Sequence, residues 1–208
     1  MNTKTSILLV GAGGHARACL DVIECEGFHS IFGLIGLTSE VGSRILNSQV
    51  IGDDNDLPKF QSNCSKALVA IGQIKNWMLR FHTFQKLIEC GYQLPVIVSP
   101  RAYVSPYAKI GNGTIIMHGA VVNAGAQIGD NCIINNQSLI EHDAVIGNHC
   151  HVSTGTIVNG GTQVGEGSFI GSRSVIKENI QIGNHCLIGM GLTVRHNLPD
   201  ETFLSVNN

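Results

Sequence analysis

Two short segments of this chain hold side chains able to do chemistry. In Glu141-His142-Asp143 an imidazole is flanked by carboxylates, and in Gly11-Ala12-Gly13-Gly14-His15-Ala16 a glycine turn separates an apolar run from a helical pattern. An imidazole titrates near neutral pH, so it can take and return a proton there. A carboxylate on its far nitrogen fixes the tautomer and supports the cation that forms. A glycine turn lets the backbone approach a phosphate, which then rests against the N-terminus of the following helix. Each segment has a plainer explanation. An exposed His beside acidic residues also suits a solvated surface, and a glycine turn also serves packing alone. The residue types leave both readings open.

The elements around the glycine turn come next. Residues 7–10 form a short, wholly apolar strand, and Ala18, Leu20, Val22 and Ile23 continue at helical spacing up to Gly27, a helix stop. Residues 30–35 and 68–72 read as second and third strands, and a helix over about 76–90 closes at Gly91. Residues 37–63 read as irregular and polar. This alternation predicts a small Rossmann-like α/β unit with a parallel sheet over residues 1–94. Gly11-x-Gly13-x-x-Ala16 approaches a dinucleotide fingerprint, yet a dinucleotide oxidoreductase is a poor reading. Ile35-Gly36-Leu37 puts no acid where a ribose would be held, and the unit is too short for a full doubly wound sheet. A nucleotide-linked ligand remains the expected occupant.

The second half obeys a different period. Every sixth residue from Val98 to Val194 is Val or Ile, and a small side chain follows four positions later, from Ala102 to Ser174, broken afterwards by Ile180 and Leu192. No α-helix repeats every six residues, so the pattern predicts a hexapeptide left-handed parallel β-helix over roughly 95–198, within a second domain of residues 95–208. The aliphatic points into a triangular prism, the small residue fits its corner, and no loop should leave it. His142, two positions after inward Ile140, then falls on the outside. Asn123, Glu141 and Asn159 should stack on one face. His149, His185 and His196 are expected on the surface, and His118 could approach a site from another subunit.

Composition narrows the class. Charged residues make up 13% of the chain and the formal net charge is −2, which gives no basic footprint for nucleic acid. No apolar run approaches a membrane span, and a cytoplasmic location is expected. Of the seven cysteines, Cys132, Cys150 and Cys186 sit at the small corner position, and Cys19, Cys25, Cys64 and Cys90 show no paired spacing. Structural thiols and no metal are the expectation.

The glycine turn, the hexad rows and Ile140-Glu141-His142-Asp143 together make the chain resemble a bacterial family of hexapeptide-repeat sugar acyltransferases. It contains sialic acid O-acetyltransferases and UDP-4-amino-sugar N-acetyltransferases of bacillosamine synthesis, and serves surface polysaccharides. The resemblance implies acetyl-CoA as co-substrate, a nucleotide-sugar acceptor and a homotrimer with clefts between prisms. It implies His142 as general base, with Asp143 raising its basicity. It places His151 near the thioester, Asn135 near the acceptor, and Ser172 and Met190 along the pantetheine arm. Gly13, Gly14, His15, Gly72 and Lys75 would line the nucleotide-sugar site. Two departures stand out: Gly36-Leu37 replaces an Asp pair after the second strand, and the chain runs through Leu198 to Asn208 without the family's Gly-x-Pro-Ala-Lys tail. CoA would then be held differently here. Acetyl transfer needs a deprotonated acceptor, and no nucleophile lies beside His142 in sequence, so direct attack is expected over an acyl-enzyme. N-acetylation of a nucleotide-linked amino sugar is the first reading. O-acetylation of a sialic-acid-like sugar is the alternative, and a non-catalytic β-helix scaffold or sugar sensor is a third, from another class.

Overall fold

Residues 7–10 are apolar without interruption because both faces of their strand are covered. In the computed structural model, which describes residues 4–205, strand β1 (Thr5–Val10) lies inside a sheet. Ile7 and Leu9 pack with Cys19, Leu20 and Ile23 of helix α1 (Gly14–Glu26). Leu8 and Val10 face the other way, toward Phe84 and Leu87. Gly27, in the left-handed conformation at φ 74°, stops α1 and returns its N–H to the Ile23 carbonyl.

After strand β2 (His29–Ile35) the segment read as irregular is largely structured. It holds a hairpin of β3 (Arg44–Ile45) and β4 (Ser48–Gly52), followed by a short helix α2 (Leu57–Gln61). Strand β4 pairs in parallel with β2, and the sheet is completed by β5 (Ala67–Val69), in the order β3-β4-β2-β1-β5. The alternation in β4 was hidden by composition: its buried positions are Ser48, Val50 and Gly52, two of which carry little β propensity. Strand β5 ends before residue 72 because the guanidinium of Arg80, on α3 (Met78–Glu89), takes the carbonyls of Val69 and Ile71.

The hexads build three parallel sheets in which each strand pairs with the strand 18 positions on, as in Val121 with Leu139. The aliphatic row from Ile116 onward is buried inside the prism. From Gly113 to Gly191 every corner holds a left-handed residue, supplied by Gly or by Asn131, Gln137, Asp143, His149, Arg173, Asn179 and His185. The prism does not end at Val194. Leu198 bridges to Ile182, and Phe203–Leu204 pairs with Leu187–Ile188, each two residues earlier than the six-residue register would place it. The shortened last coil broke the period and concealed the final strand. Val206, Asn207 and Asn208 lie outside the described residues.

The outward residue just before each inward aliphatic distinguishes the three faces. The first face presents Ile97, Ile115, Ile133, His151 and Phe169, all buried. Ile97, Ile115 and Ile133 share a core with α1, so apolar packing is continuous between the α/β unit and the prism. The second face presents Val121, Leu139, Ile157 and Val175, all half-buried. The third presents exposed Lys109, Gln127, Gln163 and Gln181.

Candidate functional site

His142 stands where the expected register puts it, outside the prism on the corner that follows second-face strand Leu139–Ile140. Its side chain is 68% exposed, and Nδ1 lies 2.9 Å from Asp143 Oδ2. Asp143 occupies the left-handed corner position at φ 59°. The hydrogen bond and charge of Asp143 raise the His142 pKa, with Glu141 adding to the shift. One coil later Gly160 makes room for the ring: a Cβ there would sit 2.8 Å from Nε2. Nε2 makes no hydrogen bond among the described residues and is open to a proton donor. Asn123 Nδ2 donates to Glu141 Oε2 at 2.8 Å, so the expected polar stack does form between these two coils.

Asn135 and His151 lie elsewhere, where the first face meets the second. The His151 ring is pinned at both nitrogens: Nδ1 lies 2.6 Å from the Gln73 carbonyl and Nε2 3.0 Å from Asn135 Nδ2. The carbonyl can only accept, so Nδ1 carries the proton and Nε2 accepts from the Asn135 amide. Burial pulls the His151 pKa down to about 4. His15, half-buried at the start of α1, is pushed to about 3 by burial, then by Arg80 and His151. Its Nε2, Gln73 Oε1 and Asn136 Oδ1 are buried polar atoms without a partner among the described residues. Such atoms are expensive unless something polar reaches them. Ser172 and Met190 continue the corner beyond Asn136, with Ser172 Oγ 2.9 Å from Ser153 Oγ and Met190 72% exposed. Within one chain, strand Leu139–Ile140 separates this group from His142 and Asp143.

The glycine turn opens onto a cleft of about 400 Å³ lined by Gly11, Gly13, Leu37, Thr38, Asp53 and Asn55 among others. Gly11, at φ 126°, is irreplaceable on geometry, since a Cβ would lie 2.8 Å from the Ala70 carbonyl. Gly13 and Gly14 are exposed, and a Cβ on either would meet nothing within 4 Å. Gly72 faces His15, and Lys75 is exposed on the same loop. No acidic pair follows β2, but Asp53 and Asp54, just after β4, reach this cleft. Thr38 Oγ1 donates to Asp53 Oδ2 at 2.7 Å and the Asn55 N–H to Oδ1 at 2.9 Å, holding that carboxyl below its usual range.

His149 is a correction. Expected on the surface, it is 4% exposed because Trp77, Phe81 and Phe84 from α3 and the preceding loop enclose it. Asn131 Nδ2 lies 3.0 Å from its Nδ1. His185 does remain exposed and stacks on Trp77, with centroids 4.7 Å apart. Fully buried Arg80 ties the junction together through Asn131 Oδ1 at 2.7 Å. Arg80, Trp77 and Gln73 were missed because nothing local marks a residue whose partners lie in the other half of the chain.

Comparison with known proteins agrees with this architecture. The bacterial transferase hexapeptide model matches residues 107–142, 125–160 and 161–196, and the PglD N-terminal domain model matches residues 6–86. PerB from Caulobacter crescentus, solved in complex with CoA and GDP-perosamine, superposes with a TM-score of 0.89 at 29% identity, covering 97% of this chain and 94% of that one. The acetyltransferase domain of PglB from Neisseria gonorrhoeae, solved with acetyl coenzyme A, gives 0.89 at 27% identity over 99% and 98% of the two chains. In sequence, an uncharacterized protein of Acanthamoeba polyphaga mimivirus is 30% identical over 128 residues, 62% of this chain. The match spans 24% of that relative's length. A PglD-type α/β domain joined to hexapeptide coils, with this likeness along nearly the whole chain, places the protein in the bacterial hexapeptide-repeat family of sugar acyltransferases.

Proposed function

We propose that the protein moves an acetyl group from acetyl-CoA to the amino group of a nucleotide-linked amino sugar, with His142 as general base. The observation that carries this reading is the exposed His142 ring, held by Asp143 through Nδ1 with Nε2 left open. Acetyl-CoA supplies the acyl group as a thioester. The attacking amine gives its proton to His142 Nε2, Asp143 stabilises the imidazolium, and the same proton is returned to the departing CoA sulfur. His151 does not serve as base, because both ring nitrogens are engaged and burial lowers its pKa to about 4, which makes it a weak proton acceptor. It instead fixes Asn135, whose second amide hydrogen remains for a ligand.

The unpartnered His15, Gln73 and Asn136 atoms fit a polar ligand at this junction, and the corner through Ser172 and Met190 fits the pantetheine arm. The 400 Å³ cleft beside the glycine turn fits the nucleotide. His142 and the Asn135 group occupy different corners of one chain, so a complete site needs a neighbouring copy. The apolar second face, bordering His142, is the surface we assign to that contact in a homotrimer.

A thiol-release assay with acetyl-CoA tests the reading. Release with a nucleotide-linked amino sugar supports it, release with free sialic acids alone would transfer the activity to oxygen, and no release with either would refute an enzyme. Gly13→Val adds a side chain where the protein leaves open space. It should raise KM for the acceptor and leave KM for acetyl-CoA almost unchanged. The reverse pattern would exchange the two ligand sites.

A further inference from the structure

Acyl transfer needs no metal, yet one side-chain cluster outside that chemistry has the donors for one. We propose that Asp21, Cys25 and His118 bind a single divalent cation of the zinc class and so clip α1 to the prism. Asp21 and Cys25 are exposed and one turn apart on α1, which puts carboxylate and thiol on the same helix face. His118 comes from the prism corner one coil before Asn136. Its Nε2 lies 3.0 Å from Asp21 Oδ2, Cys25 Sγ lies 4.0 Å from Asp21 Oδ1, and the three donor atoms all fall within 4.8 Å of one another.

The donor set selects the metal. One imidazole nitrogen, one thiolate and one carboxylate suit Zn²⁺, whereas Ca²⁺ and Mg²⁺ want a shell of oxygens. Bonds of about 2.0–2.3 Å in a tetrahedron set donors roughly 3.3–3.7 Å apart. Small rotamer changes of the two exposed helix residues close the triangle, and a water takes the fourth position.

A separate observation supports a ligating role for His118. Its Nδ1 is 2.6 Å from Ser99 Oγ, and Ser99 is 1% exposed and itself accepts the Arg101 N–H at 3.0 Å. A buried hydroxyl on the far nitrogen orients the ring, and when it accepts from Nδ1 it leaves Nε2 as the ligating atom. Ser99-His118-Asp21 could also suggest a hydrolytic relay, but a buried serine cannot reach a substrate. A bare His–Asp ion pair would satisfy two of the three residues and leave the thiol idle. Since the ligands come from both halves of the chain, binding would stabilise their packing.

The test uses Co²⁺ as probe, titrated into the metal-free full chain under reducing conditions. The expected result is one equivalent bound, with a near-ultraviolet thiolate-to-cobalt band and tetrahedral visible bands, both erased by excess Zn²⁺. Cys25→Ser should lose the thiolate band while keeping wild-type acetyl transfer, and His118→Gln should weaken binding at least tenfold. Zn²⁺ should raise Tm for wild type and not for Cys25→Ser. Absence of the thiolate band in wild type, an equal band in Cys25→Ser, which would show that another thiol binds the cobalt, or undiminished affinity in His118→Gln would overturn the proposal.

Discussion

The bare corner that carries His142 and the covered face that carries His151 are built from the same six-residue repeat, yet they turn the same side chain into two different groups. His142 is 68% exposed and Asp143 raises its pKa, which makes it a proton acceptor tuned for water-facing chemistry. His151 is 7% exposed, and burial pulls its pKa to about 4 while two hydrogen bonds immobilise the ring. The repeat itself does not decide between them. The difference is the cover, because α1, α3 and the loop from Gly72 to Trp77 lie over the first face and leave the His142 corner open. A periodic scaffold thus presents one exposed, raised-pKa imidazole and one fixed hydrogen-bonding partner simply by being capped on one side.

The comparison breaks most visibly at the base. His142→Ala is expected to lower kcat by roughly 10²–10⁴-fold, the range for losing a general base, with acetyl-CoA binding nearly intact. Wild-type turnover by that variant would move the base elsewhere and erase the distinction between the two corners. A smaller effect belongs to the covered side. His151 is neutral when folded but titrates near 6.5 when unfolded. Below that pH the unfolded chain binds a proton the native state refuses, so stability is retained at neutral pH and lost as pH falls toward 4. At pH 5 the loss is on the order of 2 kcal/mol for this group. Urea unfolding at pH 7 and pH 5 would measure it, and His151→Gln should lessen the pH dependence, with buried His15 and His149 supplying the remainder. If His142→Ala lessened it equally, the contrast in burial would be wrong.

The prism was legible because a six-residue period commits every side chain at once: each aliphatic from Ile116 to Val194 is buried, and Cys132, Cys150 and Cys186 fill corners as expected. The period failed only where the last coil lost two residues and Phe203–Leu204 dropped out of register. His142 and Asp143 were legible as neighbours in sequence, and their hydrogen bond needed no distant information. The junction was not. His149 is enclosed by α3 and the loop before it, and its burial depends on contacts across the chain that no local pattern carries. The acidic residues of the cleft beside the glycine turn were missed for a related reason: Asp53 arrives from β4, a strand obscured by its Ser and Gly. The separation of His142 from Asn135 was countable, since seven residues exceed one hexad and therefore turn a corner.

The smallest expected effect sharpens the comparison most finely. Asp143 supports the imidazolium of His142, so it raises the pH at which the proposed base becomes protonated. The acidic limb of kcat/KM should therefore lie above the ordinary imidazole value in the wild type. In Asp143→Asn the charge is gone, the His142 pKa falls back, and the limb should move to lower pH. Because the pair is exposed and screened by water, the loss in kcat at the pH optimum should be only roughly two- to five-fold. A limb that stays in place while kcat falls would mean that Asp143 merely orients the ring, and that the limb belongs to another group. Adding salt should shrink the wild-type shift and leave the variant unmoved, whereas the buried His151, shielded from solvent ions, should give the same acid destabilisation at both ionic strengths.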